Sequence, residues 1–337
     1  RMQPHRFIFW DVISAPCWAT VSVYTGYFFG QAWKFSKLWT TRGGILLLSF
    51  MVILGILYFL RWEILKRGRE FFVFMRTLWS SFSQAVGMNH SFQLVVSHHP
   101  ALFKFIARRI DRRTFSGLPL TLLGIAALYI VILFTGLIED FMSSDAIATV
   151  DMRTANLLAL FRTPEVITAM SWINLLGHGQ VIVVFALIFS LLLILWRRMN
   201  YVAPLWLTLA GSQLFVVLGK IAFQRQRPAV ALFPESSNSF PSSHATLALA
   251  FYGFLAYSIL QQIDNYNKRL NVVFAILIVL LAVGFARIYM GMHFLSDVWA
   301  GYLLGALWLV IGMSLVDAGR TWTENRQPEA FHATWGL

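Results

Sequence analysis

This sequence predicts an all-α, polytopic membrane protein with about eight transmembrane helices, and three observations lead there. Of its 337 residues, 58% are hydrophobic and only 12% are charged, about half the ~25% charged share of a soluble domain. Mean hydropathy is +0.66. Apolar windows of about 20 residues, long enough to cross a ~30 Å hydrocarbon core, recur along the chain. They fall at 8–30, 44–60, 118–138, 180–196, 201–222, 244–260, 271–289 and 295–316.

The first window contains Trp10, Asp11, Tyr24 and Tyr27, and no small-residue cleavage site follows it. It therefore reads as a retained span rather than a removed leader. The sequence opens on Arg1 rather than Met, which points to a chain cut from a longer protein. Cys17 is the one cysteine, so it reads as a structural thiol with no internal disulfide.

Between the second and third spans, residues 61–117 hold ten Lys/Arg and three acids. Phe71, Met75, Leu78 and Phe82 recur there at helical spacing. After Pro100, a residue suited to a helix's first turn, Leu102, Phe103, Phe105, Ile106 and Ile110 do the same. Both stretches read as basic amphipathic helices on an anionic cytoplasmic leaflet. His98 and His99 lie there with no carboxylate or cysteine near in sequence, so no metal site is expected. The organisation expected is two spans in 1–60, a basic interfacial linker at 61–117, six spans in 118–316 and a cytoplasmic tail at 317–337.

The net charge of +12 would suit nucleic acid in a soluble protein. Here the basic residues cluster beside apolar spans, so a bilayer is the expected partner and nucleic acid is not. With 61–117 inside, alternation puts Arg197-Arg198, Lys268-Arg269, Arg320 and Arg326 inside too. The 139–179 segment falls outside, with five acids and two arginines. Lys220, Arg225 and Arg227 break this bias by falling outside, which marks them for chemistry.

Alternation also carries three polar clusters to that same outer face: "KIAFQRQRP" at 220–228, "PSSH" at 241–244 and "ARIYMGMHFLSD" at 286–297. Lys220, Arg227 and Arg287 repel one another beside the hydrocarbon boundary, so an anion belongs between them. Arginine's planar fork matches phosphate oxygens in pairs, and lysine adds a point charge. Pro241 is placed as a helix's first residue, leaving the amides of Ser242, Ser243 and His244 to an anion. Plain capping explains either serine alone equally well; beside three cations that reading weakens.

His293 and Asp297 stand four apart and share a face if one helix runs through both. A carboxylate on one imidazole nitrogen would fix the tautomer and free the other to attack phosphorus. His244 is placed to protonate the leaving oxygen. Asp297 and Glu235 are too few carboxylates for a two-metal site, and no nucleotide loop of the P-loop type is present. Neither a metal nor another cofactor is expected.

At these residues the sequence resembles the type-2 phosphatidic acid phosphatase family, which shares its site with vanadium haloperoxidases. The family's signature is Lys-x6-Arg-Pro, Pro-Ser-Gly-His and Ser-Arg-x5-His-x3-Asp. The first part is complete at Lys220 to Pro228. Ser243 stands where glycine is usual, and Ala286 where serine is. The resemblance covers roughly 118–316 and implies a six-helix phosphatase bundle formed by the last six spans. It implies that Lys220, Arg227, Ser242, Ser243 and Arg287 hold the phosphoryl group, that His293 is the nucleophile, Asp297 its orienting partner and His244 the general acid.

The opening stretch, with Trp18, Gly26 and Gly30, is similar to the end of a DedA-type membrane protein. The chain is thereby expected to be the back part of a DedA–phosphatase fusion in a bacterial inner membrane, acting on a lipid phosphate or diphosphate at the outer face. A phosphotransferase with the same site, or a lipid-phosphate binder or flippase, are the alternatives. "GYLLG" at 301–305 fits a small-xxx-small contact, expected inside one bundle rather than between copies.

Overall fold

The computed structural model describes residues 42–111, 115–143 and 145–326, together with short helical pieces between 14 and 27. Cys17, Gly26, Gly30 and most of the expected first span lie outside the described residues, as does 327–337 of the tail. Two compact units are present, Arg1–Ile56 with Phe161–Thr163 and Leu57–Leu160 with Pro164–Leu337. The site described below lies wholly in the second.

From residue 42 the described chain forms helices joined by turns and loops, with no strand among the described residues. Helix α1 spans Arg42–Met88, α2 His90–His98, α3 Pro100–Ile110, α4 Leu118–Ser143, α5 Asp145–Ala159 and α6 Pro164–Leu175. Helix α7 spans Gly179–Leu195, α8 Val202–Phe223, α9 Ser243–Leu260, α10 Tyr266–Tyr289 and α11 Leu295–Arg326.

The expected span 44–60 opens α1, but the helix runs on into the basic segment instead of stopping. No proline interrupts it. Its charges find partners along their own surface: Arg67 Nε lies 2.6 Å from Glu63 Oε1, and Lys66 Nζ 4.9 Å from the Trp62 ring centroid. Asn89 then starts α2, its Oδ1 accepting from Ser91 N at 2.9 Å. Pro100 occupies the first turn of α3. Phe71, Leu78, Leu102 and Phe105 are exposed, as an apolar face turned to lipid would be. His98 Nδ1 lies 2.7 Å from Leu94 O.

Helices α4, α8, α9, α10 and α11 are each long and apolar enough to cross a membrane, and α6 with α7, bent by 43°, makes a sixth. The segment expected as an outer loop, 139–179, is instead the end of α4 followed by α5 and α6. Helix α11 continues past residue 316 to Arg326.

Helix α9 is the hub, packed on α7, α8, α10 and α11. Its first half buries small residues (Ala245, Thr246, Ala248 and Ala250) and its second half adds Phe251 and Phe254, while α4 buries no side chain and turns its apolar surface outward. Small residues permit close helix approach where lipid supplies no hydrophobic drive. A Cβ on Gly301 would stand 2.6 Å from Ser242 O, and one on Gly305 2.6 Å from Thr246 O. The GYLLG stretch is thus a contact inside the bundle, between α11 and α9.

Candidate active site

Four helix ends meet at one end of this bundle. Helix α8 stops because Gln224 takes a left-handed conformation, φ 44°, with its N–H bonded to Lys220 O at 3.2 Å. The chain then leaves without helical structure and delivers Arg225 and Arg227. At the start of α9 the N-cap is Ser242, so Pro241 precedes the helix instead of opening it. The Ser242 amide, expected to be free for an anion, donates to Asp297 O at 3.0 Å and ties the starts of α9 and α11 together. Arg287 comes from the last turn of α10, and Gly291, at φ 67°, turns the chain back toward His293.

The three expected cations share one environment. Lys220 Nζ donates to Ser237 Oγ at 3.0 Å. Arg227 donates from Nε to Ser237 O at 2.9 Å, from Nη2 to Ser237 Oγ at 3.0 Å and from Nη1 to Met292 O at 2.5 Å. Arg287, only 2% exposed, donates from Nη1 to Asn174 Oδ1 at 3.1 Å and from Nη2 to Glu235 Oε1 at 3.2 Å. The other Glu235 oxygen pairs with Arg227.

Burial lowers the Arg227 pKa, against the pull of Glu235. Burial alone would raise Glu235, but Arg287 and Arg227 outweigh it and hold the carboxyl below its usual range. Beside these groups, Ser242 Oγ, His244 Nε2 and Arg287 Nε are buried without a hydrogen-bond partner. Ser242 therefore does not cap its helix with its side chain. Ser243 stands at the helix's first position, half-buried.

His293 and Asp297 meet, but not on a shared helix face. Helix α11 begins at Leu295, two residues beyond His293. Asp297 reaches back from the first turn and accepts the Phe294 N–H on Oδ2 at 2.9 Å, as the acid of a capping box does. That same Oδ2 lies 3.6 Å from His293 Nδ1, beyond direct hydrogen-bond range. The other ring nitrogen, Nε2, faces the cations, 3.4 Å from Arg227 Nη1. Burial, followed by Arg287, Arg227 and Lys220, pushes the His293 pKa well below the ordinary imidazole value. His244 packs edge-on to His178, centroids 5.6 Å apart, over Gly177.

The eight residues that the sequence assigns to phosphate binding and catalysis are thus all at this end of the bundle. Sequence reasoning does not assign Asn174, Ser237, Arg225, Asp151 or Ser296 to it, and marks Glu235 only as a nearby carboxylate. Arg225 Nη1 donates to Asp297 Oδ1 at 2.5 Å and to Ser296 Oγ at 2.7 Å, and Nη2 to Asp151 Oδ2 at 2.7 Å. Its expected outward position against the charge bias is the one signal the sequence holds. Among the described residues, no three His, Cys, Asp or Glu side chains gather as metal ligands.

Apolar helices that bring three cations, two histidines and a buried carboxylate to one end define a membrane protein with a charged, buried site suited in charge to an anion. Residues 201–320, which contain all of those groups, match the PAP2 superfamily. Phosphatidylglycerophosphatase B of Bacillus subtilis (strain 168) is 28% identical over 177 residues, covering 52% of this chain and 87% of that protein.

The crystal structure of a transmembrane PAP2-type phosphatidylglycerolphosphate phosphatase from Bacillus subtilis superposes with a TM-score of 0.52 at 25% identity, covering 56% of this chain and 94% of that one. A structure of Aquifex aeolicus LpxE gives a TM-score of 0.40 at 26% identity, covering 48% of this chain and 94% of that one. The protein is a membrane-embedded lipid phosphate phosphatase, the activity class that its PAP2 match and its similarity to the Bacillus protein support.

Proposed function

We propose that this enzyme hydrolyses undecaprenyl diphosphate, phosphatidic acid or phosphatidylglycerol phosphate at the periplasmic or extracellular face of a bacterial cytoplasmic membrane. The reaction runs through a phosphohistidine and needs no metal. The observation that supports it best is the set of buried, unpartnered atoms beside the cations: Ser242 Oγ, His244 Nε2 and Arg287 Nε. Buried polar groups without partners are costly, and a phosphate would satisfy all three.

In this reading Lys220, Arg227 and Arg287 neutralise the phosphoryl oxygens, with Ser242 and Ser243 as further donors. His293 Nε2 attacks phosphorus while the bond from phosphorus to the lipid oxygen breaks. Protonated His244 gives its proton to that leaving oxygen. Asp297 faces Nδ1 and offsets the positive charge the phosphorylated ring acquires. Water then attacks phosphorus, His244 takes the water's proton, and phosphate leaves with His293 restored. The orientation is supported by the Lys/Arg bias of the opposite loops. The Bacillus relative's name favours phosphatidylglycerol phosphate among the three lipids.

The test is phosphate release by purified protein in EDTA from a panel of prenyl diphosphates and glycerophospholipid phosphates, for wild type and His293→Ala. Wild type should turn over at least one lipid, and the variant none while still binding vanadate. Strict dependence on added magnesium, or substantial hydrolysis by His293→Ala, would overturn the mechanism.

A further inference from the structure

Of the three cations in the 220–228 stretch, Lys220 and Arg227 turn to the anion site and Arg225 turns away. Its side chain is 10% exposed and lies between two carboxylates that are more buried still, Asp151 at 2% and Asp297 at 0%. The guanidinium carbon sits 4.2 Å from the Phe294 ring centroid and 4.7 Å from that of Phe141. With two aromatic rings this close, the guanidinium directs its N–H groups to the acids, Nη1 to Asp297 and Nη2 to Asp151.

We propose that Arg225, itself held by Asp151, is a positioning residue that sets Asp297 against His293. Asp297 has two oxygens with separate tasks. Oδ2 accepts the Phe294 N–H and faces the imidazole, and Oδ1 accepts from Arg225. With Oδ1 fixed, the carboxylate plane has one orientation, and Oδ2 is held toward Nδ1.

Asp151 completes the frame from α5. Its Oδ1 accepts the Ser296 N–H at 3.0 Å, and its Oδ2 accepts from Arg225 and from the Ser296 hydroxyl. Ser296 in turn accepts from Arg225 on its Oγ. The bonds close into a ring that ties α5 and the first turn of α11 to the chain leaving α8. A lysine could not build it, because a single ammonium lacks the two-edged fork that spans both acids. The side-chain hydrogen bonds of Arg225 go to Asp297, Ser296 and Asp151, and those of Lys220, Arg227 and Arg287 to other partners, so loss of Arg225 should act on the chemical step and leave substrate binding in place.

The inference rests on the proposed roles of His293 and Asp297, and its test separates the two. Arg225→Met should lower kcat by about 100-fold, the cost of a misplacement of roughly 1 Å, with KM and vanadate affinity near wild type. Arg227→Met should instead raise KM and weaken vanadate. Arg225→Lys should recover part of the lost kcat, and Asp151→Asn, a near-isosteric change, should lose about tenfold in kcat with KM unchanged.

In 15N-histidine-labelled protein, the His293 signal, assigned by its loss in His293→Gln, should show the Nδ1–H tautomer in wild type and a mixture in Arg225→Met. The tautomer does not depend on which lipid is cleaved. Wild-type protein silent on every lipid would therefore sink the proposed reaction while the tautomer still decides the role of Arg225. Wild-type kcat in Arg225→Met and Asp151→Asn, a raised KM in Arg225→Met, or an unchanged His293 tautomer would overturn the inference.

Discussion

Glu235 bridges two of the three cations: its Oε1 lies 3.2 Å from Arg287 Nη2, while its other oxygen pairs with Arg227. An anion between like charges is what the sequence requires, and the loop between α8 and α9 supplies one of its own. A carboxylate presents two oxygens to these arginines much as a phosphate would. An incoming phosphate must therefore displace Glu235 or share the cations with it.

Glu235→Gln removes that competing charge. Inorganic phosphate and vanadate should then inhibit about tenfold more tightly, equivalent to ~1.4 kcal/mol. Inhibition constants measured at pH 7 check this. Weaker inhibition would mean that Glu235 organises the arginines rather than competing for them.

The acid limb of activity should lie lower than histidine usually gives. His293 is held well below the ordinary value, about 6.5, by burial and then by Arg287, Arg227 and Lys220. Its ring is neutral at pH 7, so the lone pair proposed to attack phosphorus is available there. As pH falls, kcat/KM, which reports the free enzyme, should begin to drop only below about 6.5. Glu235 pulls the other way, so Glu235→Gln should move the limb lower still. A limb at or above 6.5 would contradict this.

The same shift couples to stability. The unfolded imidazole takes up a proton near pH 6.5, and the folded one only at lower pH. Between those two values the unfolded state holds more protons, so stability is full above about 6.5 and is lost as pH falls toward the folded pKa. Thermal unfolding in detergent at pH 7.5 and 5.5 should show a larger drop in Tm for wild type than for His293→Gln.

Asn174, on α6, accepts from Arg287 Nη1 at 3.1 Å. Removing the acceptor leaves a donor of a buried charged group unpaired, at a cost of about 1.5–3 kcal/mol. Asn174→Ala should therefore weaken phosphate binding, with KM and the vanadate inhibition constant rising by about 10-fold or more. Unchanged constants would mean that Arg287 is positioned by Glu235 alone.

Asn174 also shows where legibility in the sequence stops. The signature residues are legible because each sits beside a recognisable helix end, and alternation alone carries those ends to one face. The partners that orient them are not. Asn174 and Asp151 come from α6 and α5, in a segment that reads as an outer loop, and nothing local marks either residue. Glu235 and Ser237 lie in an irregular loop, where only the fold brings them onto Arg227 and Lys220. The His293–Asp297 pair is legible as a pair, but its spacing suggests the wrong geometry. Four residues apart implies one helix face, whereas a helix cap brings Asp297 back to the turn that holds His293. The continuation of α1 past residue 60 is hidden because basic charge looks like the end of a span, although an ion pair and a cation–π contact along the helix surface accommodate it.

The tightest test of how packing sets the site is Gly301. A Cβ there would meet the Ser242 carbonyl oxygen at 2.6 Å and the Ala245 Cβ at 3.0 Å. Both belong to the helix start that carries Ser242 and His244, and backbone cannot swing aside as a long side chain could. Gly301→Ala must push α11 from α9 where the Ser242 N–H meets Asp297 O. Overpacking of this kind costs about 1–3 kcal/mol. His244 would then move relative to His293, and kcat should fall by about 100-fold. A Cβ added to Gly124, on lipid-facing α4, would meet nothing within 4 Å. Gly124→Ala should keep full activity and gain up to ~1 kcal/mol from helix propensity. Thermal unfolding and phosphate release on the two variants side by side check both expectations. Equal activity in Gly301→Ala and wild type would show that the α9–α11 contact does not set the distance between the two histidines.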